Sequence, residues 1–93
     1  MKRVAELEKL RSEIDDCDTQ IRALIRRRVS IVRKIASAKV AAGIHMHDAR
    51  RETDILEQPI DETCEIEATL IRDIYGIIFQ SGRQIWRQFK ERS

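Results

Sequence analysis

The run LIRRRVSIVRKIASAK, residues 24–39, places six cations among Leu24, Ile25, Val29, Ile31, Val32 and Ile35. Helical geometry decides which of them meet water. At about 100° per residue, Arg26, Arg33 and Lys34 point well away from the apolar stripe and Arg27 sits on its flank. Arg28 lies near the stripe centre, in line with Ile21, Leu24, Val32 and Ile35, and Lys39 returns to that line three turns on. A guanidinium or ammonium taken out of water needs a carboxylate partner, from the protein or from a ligand. One inward cation is ordinarily a structural ion pair or a side chain that reaches back to water. Two on one line favour a shared ligand. They stand about 16 Å apart along the axis, a gap that two long side chains shorten to the size of a small dicarboxylate, with Val32 and Ile35 flooring the pocket. Arg11, between Leu10 and Ile14 on the edge of the stripe, is about 25 Å from Arg28 along a straight helix. That is too far to serve its own chain's pocket, but within reach of a partner's in an antiparallel-type dimer.

Outward from this run, no glycine or proline occurs between Lys2 and Ala42, and Leu7, Leu10, Ile14, Cys17, Ile21, Leu24, Ile31, Ile35 and Ala38 recur at three- and four-residue steps. The spacing predicts one helix, stopped by Gly43. His45-Met46-His47 then leads to Asp48, an N-cap for a second helix to about Glu57, which Gln58-Pro59-Ile60 breaks. Asp61 is placed to cap a third helix from about Glu62 to Lys90, with Ile66, Leu70, Ile71, Ile74, Ile77 and Ile78 as its apolar arc. Gly76 and Gly82 inside it suggest close packing or a ligand. The fold class is all-α: a long first helix, a short second and a long third. A first helix of about 35 residues measures roughly 52 Å, longer than a compact monomer of this size. A second copy laid along the stripe solves this, giving an intertwined homodimeric helical bundle of single-domain chains, residues 1–93.

Composition agrees. Of the 93 residues, 42% are apolar and 37% charged, with one proline and three glycines, which suits a helical soluble chain. The 18 basic and 16 acidic residues leave a net charge of +2, too weak a field to call for nucleic acid or an anionic membrane. The Arg26-Arg27-Arg28 run points around the helix, and stacking aromatics are scarce, so a nucleic-acid interface is disfavoured. Cys17 and Cys64 form no CxxC; both read as reduced thiols of a cytoplasmic protein, Cys17 in the core. The charged start MKRVAELEKLRSEID is unlike a signal peptide, and no apolar run is long enough to span a membrane. His45, His47 and Asp48 form a solvated turn rather than a metal site.

LRSEIDDCD with Arg11, ALIRRRVSIV with Arg28, IASAK with Lys39, and HDARRETDIL with Asp48, Arg51 and Glu52 resemble the all-helical, AroQ-type chorismate mutase family. The resemblance covers residues 7–57 without a gap. It implies an intertwined homodimer that rearranges chorismate, a small dicarboxylate, to prephenate with no cofactor. It further implies that Arg28, and Arg11 from the other protomer, bind the substrate's carboxylates. Lys39 would contact a carboxylate and the ether oxygen, Glu52 the ring hydroxyl, and Asp48 and Arg51 would line and close the site. A pericyclic step needs no nucleophile or proton shuttle, so fixed cations in a dry pocket suffice.

The third helix departs from the family pattern, which has a serine followed four residues later by glutamine or glutamate. Matching apolar positions in IEATLIRDIYGIIFQSGRQIW puts Gly82 and Trp86 there. A shift of one residue gives Ser81 and Ile85, and a shift of two gives Gln80 and Gln84 while turning Asp73 inward. Isochorismate-pyruvate lyases and 4-amino-4-deoxychorismate mutases share the scaffold and stay open. A non-catalytic helical dimerisation module, with Arg28 and Lys39 in structural ion pairs, is the alternative of another class.

Overall fold

A computed structural model describes residues 2–58 and 64–93. Three helices follow in order, α1 Lys2–Ala42, α2 Ala49–Leu56 and α3 Glu65–Arg92. The all-α expectation holds, and α1 begins and ends where the glycine-free run does.

Gly43 stops α1 by geometry only glycine adopts cheaply. Its φ of +70° lies in the left-handed region. There Gly43 N–H donates to Val40 O at 3.2 Å and Ile44 N–H reaches back to Lys39 O at 2.8 Å. This bond pair satisfies carbonyls the last turn would leave open. Asp48 caps α2 as expected, its carboxylate accepting from Arg51 N–H at 3.1 Å. Gln58 lies just past α2, while Pro59, Ile60 and the expected cap Asp61 fall outside the described residues, as does Glu62. The described α3 starts later, with Cys64 at the N-cap position making no side-chain capping bond. It also runs two residues past Lys90, with Glu65 and Glu67 in its first turn and Lys90 and Arg92 in its last, a distribution that suits the helix dipole.

The chain forms two compact units, the stretch up to Ile31 and Val32–Ser93. In the first, no described residue is buried, and Leu7, Ile14, Ile21 and Leu24 are each about half or more exposed. Cys17, expected in the core, is exposed as well. The reason is simple: a lone helix cannot cover its own stripe. In the second unit, Ala36, Ala68 and Gly82 are buried and α2 packs on α3.

The internal glycines of α3 are not held small by crowding. A β-carbon at Gly76 would meet nothing within 4 Å, and one at Gly82 would make only ordinary contact. Gly76→Ala is therefore expected to stabilise the protein by about 0.5–1 kcal/mol through helix propensity. Gly43→Ala should cost about 1–2 kcal/mol through its left-handed backbone. Urea denaturation of the two variants reads the opposite signs.

Candidate functional site

The C-terminal end of α1 positions Lys39. The glycine turn after it folds residues 43–48 back, so Lys39 Nζ donates to Met46 O at 3.3 Å in a part-buried setting. A carbonyl is a weaker partner for an ammonium than a carboxylate. Among the described residues of its unit, Lys39 has no carboxylate oxygen within 4.0 Å.

α3 holds the same loop from the other side. Trp86 Nε1 donates to Ile44 O at 3.3 Å, and its ring lies 4.8 Å from that of His45, tilted by 36°. Lys90 Nζ sits 5.1 Å from the Trp86 ring centroid, within cation–π range. One turn before Trp86, Gly82 faces Met46 Cε and Val32 Cγ1, 3.6 and 3.7 Å from where its β-carbon would be. Gly82 and Trp86 thus share the face of α3 turned to Val32 and the loop. Ser81 and Gln84 are exposed, and the Ser81 hydroxyl donates to Ile77 O of its own helix at 2.9 Å.

Glu52, in the first turn of α2, is half-buried and bound from two elements. Arg83 Nη2 of α3 straddles its carboxylate, 2.9 Å from Oε1 and 3.2 Å from Oε2. His47 Nε2 approaches Oε2 at 3.3 Å, an ion pair when the imidazole is protonated. Asp48 spends its carboxylate on the Arg51 backbone, and the Arg51 side chain is exposed. Sequence reasoning missed Arg83 and the contact of His47.

In the stretch up to Ile31, Arg28 is half-buried and Arg11 exposed, and neither forms an ion pair within that stretch among the described residues. A surface depression of about 700 Å³ along the start of α3, lined by Glu65, Ile66, Thr69 and Asp73, touches none of the candidate residues. Among its described residues the second unit therefore offers an amine bonded to a carbonyl, a carboxylate held by a guanidinium, and apolar Val32 and Met46 nearby. The chemistry of such a set is that of a cation able to pair with an anion and a carboxylate able to accept a hydrogen bond.

Residues 10–86 match the family model described as chorismate mutase type II. The chain belongs to the chorismate mutase type II family. The match takes in both ends of the candidate set, from Arg11 on α1 to Trp86 on α3. Chorismate-mutase-type chemistry is thus the family-level function, and the all-α, three-helix chain fits it. No curated protein and no solved structure gave a significant match to this chorismate mutase type II chain. No helix among its described residues is long and apolar enough to cross a membrane.

Proposed function

We propose that the protein is a chorismate mutase, an isomerase that converts chorismate to prephenate in the cytoplasm as an intertwined homodimer. The observation that carries this reading is the Lys39 amine, part-buried at the end of α1 and bonded to a carbonyl that a substrate oxygen can replace. The reaction breaks the ether C–O bond and forms a C–C bond within one molecule, so no proton, electron or cofactor enters. Catalysis then consists of holding the dianion in its reactive diaxial shape and stabilising charge that grows on the departing oxygen. Arg28, and Arg11 of the partner subunit, bind the carboxylates. Lys39 binds a carboxylate and the ether oxygen, Glu52 accepts from the ring hydroxyl, and Asp48 and Arg51 border the site.

The dimer is supported by the uncovered stripe of Leu7, Ile14, Ile21 and Leu24, and the cytoplasmic setting by the free thiols of Cys17 and Cys64. Incubation with chorismate, isochorismate and 4-amino-4-deoxychorismate, with products identified by mass and retention, tests the reading. Prephenate from chorismate is expected. Pyruvate released from isochorismate would make the protein a lyase instead, and no product from any of the three would leave a non-catalytic dimerisation module.

A further inference from the structure

Glu52 does not stand alone in its site, and its company has a chemical consequence. Arg83 Nη2 takes one position on each carboxylate oxygen, and His47 Nε2 lies against Oε2 only. A carboxylate oxygen accepts about two donors. Oε2 is thus faced by two nitrogens, and Oε1 by one among the described residues. Room remains at Oε1 for one more donor. A ring hydroxyl supplies one O–H and no charge. An ammonium at the same ring carbon brings a full positive charge. Two donors sharing Oε1 at about 2.9 Å stand only about 4–5 Å apart, so the Arg83 guanidinium repels that ammonium and offsets the pull of Glu52.

We propose that Arg83 is a positioning and specificity-determining residue: it aims Glu52 at the substrate and selects a ring hydroxyl over a ring ammonium. The premise is the proposed mutase function. Arg83 reaches Glu52 from α3, next to Gly82, whose β-carbon position lies 3.6 and 3.7 Å from Met46 Cε and Val32 Cγ1. Partial exposure of the pair, 36% for Arg83 and 23% for Glu52, weakens the repulsion without removing it.

The test compares kcat/KM for chorismate and for 4-amino-4-deoxychorismate in the full-length protein, Arg83→Met, Arg83→Gln and Arg83→Lys. The unaltered protein should favour chorismate by about tenfold or more. Arg83→Gln keeps a donor to Glu52 but no charge, and Arg83→Met keeps neither. Both should shift the ratio toward the amino substrate by about tenfold, and Arg83→Lys should restore most of it. Thermal melts verify folding, and the glutamine variant alone suffices if the methionine variant does not fold. A fall in activity on both substrates by the same factor would reduce Arg83 to a structural contact and overturn the inference while leaving the mutase reading intact. Absence of turnover of either substrate by the unaltered protein would overturn the mutase reading itself, and the inference with it.

Discussion

Replacing Lys39 by alanine is expected to lower kcat/KM for chorismate by about 10²–10³-fold, the usual loss when one fixed donor to developing negative charge is removed. The structural cost should be small by comparison. Among the described residues the side chain makes one hydrogen bond, Nζ to Met46 O at 3.3 Å, and such a bond contributes about 0.5–1.5 kcal/mol to stability. This asymmetry is diagnostic. A lysine that merely fastens the loop at residues 43–48 would lose stability and rate together, through misplacement of Glu52. One aimed at substrate loses rate with the fold intact. Initial rates of chorismate consumption, set beside urea denaturation curves, separate the two. An alanine variant turning over within a factor of two of the unaltered protein would remove Lys39 from the reaction.

Ile21→Glu should have the largest effect on assembly. Ile21 is 53% exposed in the single chain, in the same stripe as Leu7, Ile14 and Leu24. Covered by a second copy, a glutamate there is a buried, unpaired charge, and each dimer would contain it twice. The cost is several kcal/mol per site, comparable with the total stability of a domain this size, about 5–15 kcal/mol. Sedimentation equilibrium should show a dimer before the substitution and unfolded or monomeric chain after it. Melting temperature of the unaltered protein should rise with concentration, as mass action requires of a folded dimer. Arg26→Glu, pointing away from the stripe, is the control and should leave association unchanged. A monomeric unaltered protein, or an Ile21→Glu dimer as tight as the original, would defeat the intertwined arrangement.

The helices were legible because their signals are local. An unbroken run of helix formers ends at a glycine, and Gly43 takes the backbone angle that glycine supplies. Asp48 precedes a short apolar segment and caps it. Periodicity places Lys39 on the stripe, and its amine is part-buried against Met46 O. The third helix resisted because three registers each left something imperfect, and only packing shows that Gly82 and Trp86 face the loop while Ser81 and Gln84 are exposed. Its start resisted for another reason: Cys64 makes no capping bond and leaves no signal to read. Arg83 carries no local signal in the sequence. A half-buried carboxylate needs a counter-charge as an inward cation does, and for Glu52 it comes from α3, 31 residues away in the chain.

Lys39 also contributes two different groups at the end of α1. Its carbonyl accepts the bond from Ile44 N–H that closes α1, while its amine reaches Met46. The residue whose carbonyl closes the helix thus also carries the candidate amine, four positions before Gly43. Lengthening or shortening the chain between them would either break the stop or swing the amine around the helix by about 100°. This four-residue interval should tolerate changes of side chain far better than changes of length, which marks it as a poor place to graft, splice or permute the protein.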